Sequence, residues 1–458
     1  MRFRIAAALA ALLCSPAVRA EDVIVKLGAG DGFEITDNTG AIDRLRIEEA
    51  TGNVTRNGAL FVHTTGTNNT FIGVDAGNST TPSAGNTAVG QQALSSIATG
   101  WNNSAFGHTA MLSNTTGAQN SAFGSYALRS NTTGQGNVAF GRTALSNNIG
   151  GGYNAAFGTG ALSTNTGGNE NSAFGADALR FNTATANSAF GARALRFNSG
   201  GTRNSAFGHT ALGSNTTGNY NSAFGAGALY SNTTGHYNTA LGQGALLYNS
   251  TGHSNTSIGR DSMGLNTTGH SNVAIGASAG FNQTTGSDNI YIVNSGIPAE
   301  NGQIKIGTAG THTKTTIAGI RGATATGGIS VLVDANGVLG TTASSARFKQ
   351  NVRDMDHAGD ALMKLRPVAF EYREDVVGAE DAKTTQYGLI AEEVAQVAPE
   401  LVAPDLEGKP YSVKYHELPA LLLSQVQAQQ RTIDAQCAQI AELTTRLADV
   451  ERRLAPAR

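Results

Sequence analysis

From residue 69 to residue 289 the apolar and polar positions repeat with a fixed beat. Asparagine stands at 69, 86, 103, 120, 137, 154, 171, 187, 204, 221, 238, 255, 272 and 289, and glycine follows four residues later from Gly73 to Gly276. The step is 17 residues, except for one of 16 where the stretch 182–186 is a residue short. The consensus reads N-S-A-F-G-x-x-A-L-x-x-N-T-T-G-x-x. A period of this length predicts a solenoid, and the frequent glycines and β-branched residues argue against helices. Each unit is expected to hold two brief extended pieces, around Ala-Phe-Gly and Ala-Leu, with a turn at Asn-Thr-Thr-Gly. One unit per coil stacks equivalent residues about 4.8 Å apart. Phe106, Phe123, Phe140, Phe157 and Phe174 then form one apolar ladder, and Leu112, Leu128, Leu145, Leu162 and Leu179 another. The asparagines are expected to form a hydrogen-bonded ladder that satisfies turn backbone. A single coil buries too little, so stacking must supply the core.

The pattern changes on both sides of this array. Alternating residues at Val23-Ile24-Val25-Lys26-Leu27 and Phe33-Glu34-Ile35 predict short strands in 21–65, a β cap for the open end of the solenoid at 66–296. Residues 297–343 continue as β, with strand-like runs at Ile304-Lys305-Ile306-Gly307, Thr316-Ile317-Ala318-Gly319-Ile320 and Val331-Leu332-Val333 and a tight turn at Asn336-Gly337. So little apolar mass suits an intertwined stalk better than a free-standing domain. From Leu422 the beat becomes heptad. Val426, Ile433, Ile440, Leu447 and Leu454 take one seam position, and Leu422, Gln429, Gln436, Leu443 and Val450 the other. β-Branched residues at both positions, with Gln in the seam, favour a three-stranded coiled coil over 422–458. The competing reading is one amphipathic helix packed on its own domain.

Charge sharpens the division. Half of the 64 Asp, Glu, Lys and Arg residues lie in 344–458, whereas 66–286 hold eleven. The net charge of −2 implies no attraction to nucleic acid or membrane surfaces. Residues 1–20 read as a secretory signal peptide: Arg2 and Arg4 lead a short apolar run, and Val18-Arg19-Ala20 suits cleavage before Glu21. The run is too short to span a bilayer, and a lipoprotein reading through Cys14 meets the bulky Leu13. Processing leaves Cys437 alone, so no intrachain disulfide forms and oligomerisation is the expected stabiliser. Cys437 is read as a simple thiol, with pairing between chains as the alternative. His236, His253 and His270 also fall 17 apart. They are read as a solvated ladder rather than a metal stack, because no carboxylate or cysteine accompanies them. No cofactor or metal site is expected. The N-T-T triplets match glycosylation acceptors, but a turn-forming Asn with backbone-binding threonines explains all of them.

The chemistry lies at the seam, in Ser344-Ser345-Ala346-Arg347-Phe348-Lys349. It is followed by Leu362-Met363-Lys364-Leu365-Arg366-Pro367-Val368-Ala369-Phe370-Glu371-Tyr372, Tyr387-Gly388-Leu389-Ile390-Ala391-Glu392-Glu393-Val394, Ala398-Pro399-Glu400-Leu401-Val402 and Val413-Lys414-Tyr415-His416-Glu417-Leu418. This order resembles the C-terminal intramolecular chaperone domain of phage tailspikes and tail fibres, a family of self-cleaving serine peptidases. Of its S-D-x-R-x-K motif, Ser344, Arg347 and Lys349 match, and Ser345 stands in place of Asp. The resemblance covers about the last 115 residues and implies a small α+β chaperone domain over 344–421, with Ser344 as nucleophile and Lys349 as base. The repeats resemble the heads of trimeric autotransporter adhesins, whose N-S-x-A-x-G pattern builds a trimeric left-handed β-roll.

A serine hydroxyl needs a base, and a lysine serves only if burial or a nearby cation such as Arg347 lowers its pKa. Burial on trimer assembly would activate Lys349, so cutting would report correct folding. Attack on the Ala343 carbonyl passes through a five-membered ring, which predicts cleavage at Ala343–Ser344. Ser345, four residues from Lys349, is the alternative nucleophile. The expected protein is mainly β, homotrimeric, and secreted or on a bacterial cell surface, with a surface glycan or cell-surface ligand as partner of the repeats. The alternatives are a structural spacer with an uncleaved chaperone domain, or a glycan-degrading enzyme. The latter needs paired carboxylates, and the array offers Asp75, Glu170, Asp177 and Asp261, widely separated.

Overall fold

The structure is a computed structural model that describes residues 24–27, 32–36, 43–48, 50–77, 82–320, 326–334, 336–355, 358–377, 380–405 and 407–454. The signal-peptide segment 1–20 lies outside the described residues. The chain forms two compact units, Met1–Thr316 and Ile317–Arg458.

The first unit is a β-solenoid. Fourteen three-residue strands, from Thr70–Ile72 to Ile290–Ile292, pair in parallel, each with its equivalent in the next coil. The trimmed coil keeps this register, since Ser172 pairs with Ser188 and Phe174 with Phe190. The strand Ile304–Ile306 adds a further parallel rung rather than beginning a stalk. At the other end, strands at 24–27, 33–36, 43–47, 54–56 and 59–63 form an antiparallel meander, and Ala59–His63 pairs antiparallel with Thr70–Ile72. That pairing covers the edge that the first coil would otherwise expose.

The core is made of small residues. Alanines at the strand centre and three residues past the glycine, with the leucine that follows, are fully buried from coil to coil. The Ala-Leu piece is not a strand. It is a turn, and Leu128, Leu145, Leu162 and Leu179 have φ of 49–51°. Only a turn of this hand swings the leucine into so narrow an interior, and its burial outweighs the unusual backbone. The ladder also shifts at one coil, where Met111 takes the buried place and Leu112 stays at the half-buried margin. Phenylalanine follows the inward alanine, so strand alternation turns it outward. Its rings stack on the outside, with centroids 4.4 Å apart between Phe123 and Phe140.

Two asparagine ladders run through the interior. Asn137 Nδ2 donates to Asn120 Oδ1 (3.1 Å) and to the Gly151 carbonyl (2.9 Å), while its Oδ1 accepts from the backbone N–H (3.0 Å) and Nδ2 (3.1 Å) of Asn154. The asparagines of the N-T-T turns form the second ladder: Asn131 Nδ2 donates to Asn114 Oδ1 (2.7 Å) and to the Gly134 carbonyl (3.0 Å). These nitrogens are buried and engaged, which removes them as glycan acceptors in the folded coil. Aromatic residues close the alanine column at its ends. Phe71 and Tyr291 occupy strand centres where other coils carry alanine or serine, and both are fully buried. Gly77 and Gly280 leave room for their rings.

The strand glycines are required twice over. Gly141 has φ +133°, and a Cβ there would lie 2.6 Å from the Gly158 carbonyl oxygen of the next coil. Gly141→Ala is expected to cost about 2–5 kcal/mol from backbone strain plus forced separation of coils. Gly167→Ala meets nothing within 4 Å and should change stability by under about 0.5 kcal/mol. Urea unfolding of both variants checks this, and equal midpoints would contradict it.

In the second unit, Leu332–Val333 and Leu339–Gly340 form a hairpin. Its turn is held by Asp334 Oδ1, which accepts from the N–H groups of Asn336 and Val338 (2.9 Å each). The expected strand at 316–320 is absent: Gly319 sits at φ +85° and breaks it, and Ile317 and Ile320 are exposed. Two further hairpins, 368–370 with 386–388 and 402–404 with 410–413, flank the helix Ala391–Val397. The helix Leu418–Leu454 ends the described chain.

Candidate active site

The seam motif folds as one 3₁₀ turn, Ala346–Phe348, capped by Ser345. Ser345 Oγ accepts from the backbone N–H of Arg347 (3.4 Å) and from its Nε (3.3 Å). The Arg347 guanidinium lies 5.3 Å from the centroid of the Phe348 ring. Ser345 therefore acts as a cap, which is a structural use for the alternative nucleophile. Ser344 and Lys349, at the two ends of this turn, are both exposed, and among the described residues no hydrogen bond joins them. Arg347 faces Ser345, not Lys349. Ala343, whose carbonyl is the expected target, is also exposed. In one chain the expected nucleophile and base are thus both open to solvent.

The domain that follows has a small core. Val394, Ala398, Leu401 and Val413 are buried, and Leu365, Leu389, Val402, Leu418 and Leu421 pack against them. Tyr415 Oη accepts from the Leu389 N–H (2.9 Å), and Lys414 Nζ donates to the Glu400 carbonyl (2.9 Å). Arg366 makes a bidentate pair with Glu393, with Nε 3.1 Å from Oε2. Its hydrogen bonds and charge hold the Glu393 carboxyl below the usual range. Ser424 Oγ on the terminal helix donates to the Met355 carbonyl (3.2 Å), tying the helix base to the segment just past the motif.

Much apolar surface is left uncovered. Phe348 and Val352 are 69% and 79% exposed. The terminal helix has no buried residue, and Leu422, Val426, Ile433, Ile440, Leu443, Leu447 and Val450 all lie open on it. A helix packed on its own domain would bury that stripe. Cys437 is exposed on the same helix.

Other candidate chemistry does not converge. Asp177 pairs with Arg180 (3.4 Å) and Asp261 with Arg260 (3.5 Å). Asp177 and Asp261 sit five coils apart, about 24 Å at strand spacing, too far for the paired carboxylates of glycoside hydrolysis. His253 and His270 stack with centroids 4.8 Å apart, while His236 Nδ1 accepts from the Asn219 N–H (3.0 Å). Among the described residues no helix is long and apolar enough to cross a membrane.

Residues 344–403 match a peptidase family model described as chaperone of endosialidase. The match begins at Ser344, the first residue of the seam motif, and follows a β-solenoid, in agreement with the tailspike-type chaperone domain that the motifs resemble. A domain of this family joined to a solenoid fits a tail-fibre- or tailspike-like protein. No curated protein and no solved structure matches the chain.

Proposed function

We propose that this chain is a secreted or surface-displayed homotrimeric fibre- or adhesin-like protein, that its C-terminal domain brings three copies together, and that it then cuts itself at Ala343–Ser344. The observation that carries this reading is the terminal helix. Its heptad seam is mostly apolar, regular and exposed, beside a domain that matches a trimer-associated chaperone family. Such a helix needs partners, and three copies of itself supply them.

The chemistry follows from assembly. The exposure of both Ser344 and Lys349 in one chain matches a latent site. Neighbouring chains bury the turn, drive water from Lys349 and, with the Arg347 charge nearby, favour its neutral amine. Lys349 then takes the Ser344 Oγ proton as Oγ attacks the Ala343 carbonyl carbon. The C–N bond breaks, its nitrogen receives a proton, and an ester between Ala343 and Ser344 Oγ remains. Water cleaves this ester, leaving a carboxylate at Ala343 and a new amino terminus at Ser344. A chain that never assembles leaves Lys349 in water and stays whole.

Ser344→Ala is expected to turn two fragments into one full-length band on a denaturing gel, while Ser345→Ala still cuts. N-terminal sequencing of the small wild-type fragment should begin at Ser344. Two fragments from the Ser344→Ala chain would overturn the assignment. An uncut wild-type trimer would favour the structural-spacer reading. The repeat region is the proposed binding part, for a surface glycan or another cell-surface ligand, and glycan-array binding by the full chain tests that.

A further inference from the structure

We propose that two adjacent coils, 171–186 and 187–203, carry a binding site for an anionic polysaccharide, built from Arg180, Arg193 and Arg196 beside the rings of Phe181 and Phe197. This rests on the reading that the repeat region binds a surface glycan, and it gives that glycan its charge and its place on the solenoid.

Charge is the first support. Residues 66–286 hold eleven charged side chains, and four of them, Asp177, Arg180, Arg193 and Arg196, fall within these two coils on one stretch of each. They stand in register: Asp177 and Arg193 come two residues after the strand glycine of their coils, Arg180 and Arg196 five, and Phe181 and Phe197 six. The Arg193 N–H donates to the Ala176 carbonyl (2.9 Å) and the Phe181 N–H to the Arg196 carbonyl (3.0 Å), so the two segments lie edge to edge. Asp177 is taken up by Arg180 (3.4 Å). Among the described residues no acidic side chain pairs with Arg193 or Arg196. Two positive charges are thus left open on one face, in an array with few other charges to oppose their field.

Geometry is the second support. The Phe181 and Phe197 rings stack with centroids 5.4 Å apart. The Arg196 guanidinium lies 4.9 Å from the Phe197 centroid and 5.9 Å from that of Phe181, and the Arg180 guanidinium lies 5.2 Å from Phe181. A guanidinium resting against a ring is fixed in direction and keeps N–H groups free at its edge. That edge matches the paired oxygens of a carboxylate or sulfate. Arg196 Nε has no hydrogen-bond partner, so this guanidinium is not satisfied within its own chain. Ser163 and Gly213 hold the same place in the coils on either side, so the arginine cluster is confined to these two.

The class of ligand follows from the shape. Phe181, Arg193 and Phe197 are exposed, and the site is an open face. A single small anion gains little there, whereas a polymer with repeated anionic groups meets several arginines at once. The ring faces are engaged with each other and with guanidiniums, which disfavours a stacked nucleobase. An acidic polysaccharide needs only the free N–H edges.

The test measures binding of the full chain to immobilised polygalacturonate and dextran sulfate, with uncharged dextran and duplex DNA alongside. The wild-type chain is expected to hold at least one of the two acidic polysaccharides, to release it as salt is raised, and to ignore dextran. Arg193→Gln together with Arg196→Gln should lower that affinity by about tenfold or more, while Arg142→Gln, on a coil outside the cluster, leaves it unchanged. Should the double variant melt early, Arg193→Gln alone, at an exposed position, is read in its place, with a several-fold loss expected. Equal binding by the wild-type chain and these cluster variants, or binding confined to neutral glycans on an array, overturns this inference and leaves the glycan reading standing. Tighter binding of duplex DNA through the same arginines overturns the polysaccharide as their ligand. A chain that binds no glycan, acidic or neutral, overturns both.

Discussion

Replacing Ile433 and Ile440 together with aspartate is expected, on the homotrimer reading, to leave the protein as single chains. Both residues occupy the same heptad seam, and both are at least half exposed in one chain, at 50% and 62%. Burying a side chain of this size contributes about 1.5–3 kcal/mol. Three chains place six of them in the seam, so the loss reaches roughly 9 kcal/mol or more on the same scale. The carboxylates add repulsion and a desolvation cost. The intrachain core of Val394, Ala398, Leu401 and Val413 is untouched by the change. Sedimentation velocity should therefore give one-chain mass, and self-cutting should stop with it. A double variant that keeps the wild-type mass would remove the terminal helix as the assembling element. The hairpin and open segment before the seam should suffer next, because Ile317, Ile320, Ile329, Val331 and Leu339 are all more than half exposed. On the proposed trimer neighbouring chains cover them, and slow non-local β pairing makes prior registration valuable.

Asn137→Asp is expected to be the most damaging near-isosteric change in the solenoid. The amide donates to Asn120 Oδ1 and the Gly151 carbonyl and accepts twice from Asn154. A carboxylate keeps the two acceptor roles but turns its second oxygen toward two other acceptors, in a site with no exposure. Each acceptor keeps one other donor, the Asn137 N–H for Asn120 Oδ1 and Asn148 Nδ2 for the Gly151 carbonyl. The cost is therefore two lost donor bonds with a carboxylate oxygen set against both acceptors, about 2–6 kcal/mol together. Burial also raises the pKa of the new carboxyl above its unfolded value. The folded state then binds the proton more tightly, so the variant regains stability as pH falls through that raised pKa and loses it as pH rises. Asn147→Asp, on the exposed side of the same coil, should shift stability by less than about 0.5 kcal/mol. Thermal unfolding at two pH values checks both parts; equal melting of the two variants would show that the ladder does not hold the coils.

The candidate site was readable as a motif and not as a place. Ser344, Arg347 and Lys349 stand out by order and by position at the seam, and the family match begins at the same serine. Their spacing says nothing of geometry: one turn sets Arg347 against Ser345 and leaves Ser344 and Lys349 both exposed. The capping role of Ser345 was open to sequence reading, since a serine before a short helical turn is a common N-cap.

The sequence by itself determined the solenoid, its period, the asparagine and phenylalanine ladders and the apolar heptads of the terminal helix, because a strict repeat makes every coil meet its own copy at the same residue. Tertiary structure alone decided which ladder lies inside. The interior is narrow, so alanine and a left-handed leucine fill it, Met111 replaces Leu112 there, and phenylalanine is turned out to the surface. It also decided where the repeat stops. Tyr291 closes the column, the rung at Ile304–Ile306 still pairs, and the run at 316–320 finds no strand to join. A short apolar run becomes a strand only where a neighbour's backbone offers hydrogen bonds, and that neighbour is a property of the folded molecule.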